Sequence, residues 1–441
     1  MAPQLGPRRW AVFLCVCLVA GSVLRLIWLG DIEYKGDERL FFTLTQQVGV
    51  TEPWPTLGPP GSVGLRAPGM HSWVMIALGR LFAVRTPLAL ARSVQWLNIA
   101  ALVALVFFAF RVIRPNEREP WLWTAALVSV NPYLALLHRK IWPPATVALF
   151  CLVPLAGWFR RDRRGGAFLW GLGGLLVGQV HVAALFYMAG LAAWTWAAER
   201  GVRGFGQREP AAKTAWPFWI AGSLVGTLPL APWLLYMARV SGQVPRTPLL
   251  PRLAGLRFWG FWGTDALGLH AWYNLGRPLF RAFLGYPLLG GRPTYLVGAL
   301  HALLVLLGTV LLAAGLAAFW RRRRGGTERD ETGLALQGGL LGGGAVMTVL
   351  APTIYRHYLL ITFPFEWVWL ARLAFFGLET RRARIVLFTI WAAQLALSAC
   401  LLYFLHVNGG ARTGDYGAAY SRQPAGRRGL DRPPAPAIGP P

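Results

Sequence analysis

Directly after the first long apolar run, the segment Tyr34-Lys35-Gly36-Asp37-Glu38-Arg39 sets two carboxylates side by side. A carboxylate held at a membrane surface can accept the proton of an attacking hydroxyl, and a neighbouring acid can orient that base. Asp37 and Glu38 are the only adjacent acidic pair on the face that the threading below makes external. Two basic clusters come to the same face, His138-Arg139-Lys140 and Tyr355-Arg356-His357-Tyr358. Arg139 and Arg356 suit a phosphate, because the planar guanidinium donates two parallel hydrogen bonds. His138, His357 and Tyr358 join them as substrate-binding candidates. The same residues also fit plainer roles, as solvated loop charges and as interfacial Arg and Tyr anchors.

The elements that must carry these residues are apolar. Of 441 residues, 55% are hydrophobic and 14% charged, with 22 Trp, which excludes an ordinary soluble domain. Runs such as 10–30, 215–237 and 295–320 reach the roughly 20 residues needed to cross a bilayer. The 44 Lys and Arg against 18 Asp and Glu give a net charge of +26. In a soluble chain that excess would suggest nucleic acid. Here the charges sit between apolar runs, where arginines fix topology and touch lipid phosphates, so no nucleic-acid partner is expected. Cys15, Cys17, Cys151 and Cys400 all fall in apolar segments, which gives neither a disulfide framework nor a metal cluster. Arg8 and Arg9 precede an apolar run without a clear cleavage site, so a retained first span is expected.

Basic loops then thread the chain, because Lys and Arg concentrate on the cytoplasmic side. The fixed points are Arg8/Arg9, Arg111 to Arg118, Arg160 to Arg164, Arg200 to Arg208, Arg321 to Arg324 and Arg381 to Arg384. They predict an all-α polytopic membrane protein of about eleven transmembrane helices with a cytoplasmic N-terminus. One membrane domain covers 1–407, with two large external loops at about 31–90 and 238–294. A surface helix occupies the first loop from Met70, and hairpins have their tips at 138–140 and at His181. The tail 408–441, rich in Gly, Pro and Arg, is expected to be external and poorly ordered. Glycine runs at 171–178 and 338–344 follow no strand and read as close helix packing rather than nucleotide loops.

In order and sidedness these features resemble the C-type (GT-C) glycosyltransferase superfamily, in particular protein O-mannosyltransferases and lipid A aminoarabinose transferases (glycosyltransferase family 39-like). The shared pattern is one span, then Asp37-Glu38 opening a long loop, followed by Leu40-Phe41-Phe42 and a Pro68-Gly69 turn into a surface helix. Asn131-Pro132 and Arg139 then mark the hairpin, and Arg356, Tyr358 and Pro364 open a late span. The resemblance implies an inverting transferase that moves a sugar from a polyprenyl-phosphate donor to a protein, lipid or glycan acceptor at the outer face of a bacterial cytoplasmic (inner) membrane. It implies Asp37 as general base, Glu38 as its orienting neighbour, and Arg139 and Arg356 as neutralisers of the departing phosphate. Such relatives often carry another acid just after the hairpin arginine. This chain has Ile141-Trp142-Pro143-Pro144 there, which argues against a divalent metal, and no cofactor is called for.

A lipid-linked polysaccharide polymerase or ligase, or a transporter or flippase, would share the helical bundle. The first would rely on external arginines without the acidic pair, and the second would show repeats and midplane charges that this sequence lacks. The threading predicts that an external thiol reagent reaches cysteines placed at Gly58 and Gly255 but not at Arg163 or Gly325. External labelling of either of the last two breaks it.

Overall fold

The structure, a computed structural model, describes residues 7–61, 64–202, 213–240, 257–322, 330–350 and 355–424. Helix α1 (Pro7–Leu26) leads into a short extended stretch and then α2 (Gly36–Gln47). A two-stranded ribbon of β1 (Leu57–Pro60) and β2 (Arg66–Pro68) turns at Gly69 into α3 (Met70–Leu81), the expected short helix of the first loop. Gly69 is required there, because a Cβ would overlap the carbonyl of Pro55 and come within 2.8 Å of that of Thr56.

Helix α4 (Pro87–Arg111) starts where its sequence says it should. Pro87 fills the first turn and the Thr86 hydroxyl accepts from the Ala89 amide at 3.2 Å. Helix α5 (Arg118–Val130) breaks at Asn131, whose side-chain oxygen accepts from the Leu134 amide, and the chain restarts at Pro132 as α6 (Pro132–Leu137). After the 138–142 tip, Pro143 and Pro144 open a 3-10 turn into α7 (Val147–Trp158). Helices α8 (Arg164–Val180) and α9 (Ala183–Glu199) meet at His181, and α10 (Trp216–Thr227) continues into α11 (Ala231–Val240).

Among the described residues, six helices are long and apolar enough to cross a membrane: Arg8–Leu26, Pro87–Arg111, Trp216–Val240, Leu296–Trp320, Glu331–Leu350 and Thr380–Asn408. A seventh is the pair Arg356–Thr362 and Phe365–Gly377, bent by 70°. The all-α architecture stands, but length supports only these seven of the eleven expected spans. The two hairpins are built from shorter pieces: α8 and α9 have 17 residues each, and α5 and α7 have 13 and 12. At 1.5 Å per residue these fall short of a hydrocarbon core of about 30 Å.

The glycine runs pack helices, as expected. Gly171 lies against the Trp219 carbonyl of α10, and Gly342 and Gly343 lie against Gly190 of α9. Around the 111–118 and 160–164 basic segments, acids partner the arginines. Arg384 pairs with Glu119 at 2.7 Å, and Arg161 pairs with Glu331 at 2.8 Å.

The second loop and the start of the tail both carry structure. Within the second loop, residues 257–294 carry helices Arg257–Ala266 and Ala271–Leu284 and a hairpin of Leu288–Leu289 with Arg292–Pro293. Of the tail, residues 408–424 are folded rather than loose. Gly409 ends the last helix with φ of 63°, and Gly410–Ala411 pairs with Gly417–Ala418. The Tyr416 hydroxyl donates to the Asp31 carbonyl, the Tyr420 amide to the Ile32 carbonyl at 3.0 Å, and the Gln423 side chain to the Tyr34 carbonyl at 2.7 Å. These bonds satisfy the backbone of the segment after α1, and that is why the tail is held. Residues 425–441 lie outside the described residues.

Gly58 is a poor labelling position, since a Cβ there would lie 2.8 Å from the Pro68 carbonyl. Gly61, exposed in the same ribbon, replaces it in the threading test. Gly255 and Gly325 lie outside the described residues. A second test concerns the helix crossing at Gly190. Gly190→Ala should destabilise the protein by at least about 1–3 kcal/mol through overpacking, read as a lower thermal midpoint in detergent. An unchanged midpoint would show that α9 does not meet Gly342 and Gly343 so closely.

Candidate active site

Helix α2 sets the site. Its buried stripe is Glu38, Phe41, Phe42 and Thr45, the spacing of one helix face. Glu38 looks back and accepts from the Lys35 amide at 2.8 Å, capping the helix, while its other oxygen lies 3.2 Å from Lys140. Lys140 also meets Glu33 at 3.0 Å, and Glu33 meets Lys35 at 2.6 Å. Burial works against the charge of Lys140, but Glu33 and Glu38 together outweigh burial and raise its pKa. This buried cluster clamps the start of α2 to the hairpin tip.

With Glu38 turned inward, Asp37 points about 100° away around the helix axis. There it lines a cavity of about 550 Å³ together with Leu40 and Phe41. The ribbon contributes Arg66, α3 contributes His71, the α8–α9 turn contributes His181, and the bent span contributes His357 and Tyr358. Asp37 is the only carboxylate in that lining among the described residues. Trp142, Phe186, Trp233, Met237 and Leu350 make the remainder of the wall strongly apolar.

The imidazoles have defined settings. His71 Nδ1 lies 2.7 Å from the Val180 carbonyl. A carbonyl can only accept, so Nδ1 carries the proton and Nε2 is left as the basic nitrogen. Burial lowers the His71 pKa, against the opposing pull of the Val180 bond and Asp37, so the ring is neutral at neutral pH. His357 sits edge-on to Trp142 at 4.6 Å and beside Tyr358 at 4.8 Å, and His181 approaches Tyr358 at 5.1 Å. The Arg66 side chain donates to the Gly58 carbonyl at 3.1 Å, and Trp233 donates to the Arg66 carbonyl at 2.8 Å, which ties α11 to the ribbon.

Of the residues singled out from sequence, Asp37, His357 and Tyr358 therefore share one cavity. The other four do not line it. Glu38 is in the Lys140 cluster. Arg139 is buried and donates to the carbonyls of Leu24 and Trp28, at 3.3 and 2.8 Å, closing the end of α1. His138 Nδ1 accepts from the guanidinium of Arg25 at 3.0 Å. Arg356 forms a buried ion pair with Asp265, with Nε 3.1 Å from Oδ2, and lies 4.8 Å over the Phe261 ring. Arg139 and Arg356 thus have separate protein partners. Sequence reasoning missed Arg66, His71 and Asp265. Arg66 and His71 flank the Pro68-Gly69 turn, and that closeness was the available signal. Among the described residues, no group of three or more His, Cys, Asp or Glu is placed to hold a metal ion.

No protein-family profile and no curated protein matches this chain. Among solved structures it is similar to the Archaeoglobus fulgidus oligosaccharyltransferase in the apo form, with 13% identity and a TM-score of 0.45 over 93% of this chain and 57% of that one. It is also similar to the Archaeoglobus fulgidus oligosaccharyltransferase AglB in complex with an inhibitory peptide and a dolichol-phosphate. There the identity is 12% and the TM-score 0.46, over 89% of this chain and 56% of that one. The chain spans a little over half the length of these structures.

The clamp on α2 can be tested by charge removal. Lys140→Met leaves buried Glu38 without its cation and Glu33 with Lys35 alone, and should destabilise the protein by about 3–5 kcal/mol. Adding Glu33→Gln should recover part of that loss in thermal unfolding. Wild-type stability in the single variant would mean that the cluster does not hold α2.

Proposed function

We propose that this chain is a membrane glycosyltransferase that moves a sugar from a polyprenyl-phosphate donor to a hydroxyl or amine acceptor at the outer face, with inversion at the anomeric carbon. The observation that carries this reading is the lining of the cavity. Among the described residues a single carboxylate, Asp37, stands with Arg66, His71, His181, His357 and Tyr358, and the remaining wall is apolar. A prenyl-phosphate sugar has the matching halves, a charged polar head and a hydrocarbon tail. The volume of about 550 Å³ lies within the range usual for small-molecule sites.

In this reading Asp37 takes the proton of the acceptor hydroxyl as its oxygen bonds to the anomeric carbon. The bond from that carbon to the phosphate oxygen breaks with its electron pair, and polyprenyl phosphate leaves. Arg66 stabilises the charge gathering on the phosphate, in place of the arginines expected from sequence. The Tyr358 hydroxyl serves as a further donor, and the basic Nε2 of His71 accepts from a sugar hydroxyl. Glu38 acts on the base indirectly, by fixing the rotation of α2.

Asp37→Asn keeps the shape of the side chain and removes its basicity, so transfer should fall roughly 10²- to 10⁴-fold while thermal stability and donor binding persist. Glu38→Gln should show its loss first in thermal stability. The measurement is sugar transfer from a polyprenyl-phosphate donor by the purified protein in detergent. Transfer by Asp37→Asn at the wild-type rate would remove the residue on which the reading rests.

A further inference from the structure

The far side of the α2 start holds a second pocket of about 560 Å³, separate from the cavity that Asp37 lines. Its cationic residues are Lys35 just before α2, Arg39 in α2, and Arg412 and Arg422 from the folded tail, and among the described residues no carboxylate lines it. The nearest acids belong to Lys35, which is paired with Glu33 at 2.6 Å and lies 3.9 Å from Asp415. Arg412 and Arg422 are exposed, and among the described residues neither guanidinium has a hydrogen-bonded acceptor in the protein. Gln423, whose amide is bonded to the Tyr34 carbonyl at 2.7 Å, fixes the pocket floor.

Like charges gathered in one concave site repel each other, and an anion bound among them relieves that repulsion. The tail's own contacts with the 31–34 segment run through Tyr416, Tyr420 and Gln423, so the fold does not require the two arginines. We propose that this pocket binds a phosphate group, contributed either by an anionic lipid headgroup or by a soluble phosphate compound, through Arg39, Arg412 and Arg422. Planar guanidinium forks on two elements suit the several oxygens of a phosphate. The site stands independently of the glycosyl-transfer reading, although α2 forms a wall of both.

The test uses the full chain with Arg412→Gln and Arg422→Gln combined, which keeps polar side chains of similar length. One arm titrates inorganic pyrophosphate by calorimetry in neutral detergent. The other compares thermal midpoints in nanodiscs of phosphatidylglycerol and of phosphatidylcholine. The wild type should bind pyrophosphate if the source is soluble, or gain stability selectively in phosphatidylglycerol if it is a headgroup. In either arm the double variant should lose about tenfold or more of the affinity, or most of the selective gain. Its midpoint without anion should match the wild type, and Asp37→Asn should bind as the wild type does. A wild type that responds to neither probe, or a double variant that responds equally, overturns the proposal.

Discussion

The buried cluster of Lys140 with Glu33 and Glu38 fixes the rotation of α2, and the geometry of the candidate site follows from that rotation. An ammonium taken out of water needs carboxylates close by, and here it has two, at 3.0 and 3.2 Å. Glu38 also caps the helix through the Lys35 amide, so one side chain sets both where α2 begins and which way it faces. Adjacent helical residues differ by about 100° around the axis. Turning Glu38 inward therefore turns Asp37 to the cavity. A carboxylate buried in an ion-pair cluster and one lining the cavity come from neighbouring positions because one is sequestered by a lysine and the other is not.

Arginine serves this fold mainly as a brace. Arg25 bonds the carbonyls of Gly21, Val128 and Ser129 and also His138, and Arg139 takes those of Leu24 and Trp28. The end of α1 has carbonyls without helical partners, and a buried helix end must find donors for them. Two arginines supply donors there and tie α1 to the hairpin between α6 and α7. Arg356 is neutralised by Asp265, which places helix Arg257–Ala266 against the bent span. The large basic excess is thus divided among structural braces, ion pairs such as Arg384 with Glu119, and exposed surface.

The folded tail completes the face that carries both pockets. His406 near the end of the last helix bonds Asp31 at 2.7 Å, and the hairpin beyond it covers the segment from Asp31 to Tyr34. Those residues are buried, so their backbone must be paired, and the tail pairs it. Without the tail, the link from α1 to α2 would expose the polar groups that orient the site.

Composition and apolar periodicity determine that this chain is a helical membrane protein, because the bilayer leaves no other way to satisfy the backbone of such long apolar runs. The sequence also marks the helix starts at Pro87 and Pro132, the close packing at Gly171 and Gly342, and the carboxylate at position 37. The inward face of α2 was legible too, since positions 38, 41, 42 and 45 form one stripe; an acidic residue at its head disguised it. The partners of Arg139, Arg356 and His138 were not legible. Each lies more than 90 positions away in the chain or, for His138, opposite another arginine. Whether an arginine meets phosphate or protein depends on which buried carbonyl or carboxylate the folded chain brings to it. Charge and spacing are local properties of a sequence, whereas desolvation and pairing exist only once distant segments pack, and that is why the tertiary structure alone decided which residues line the cavity.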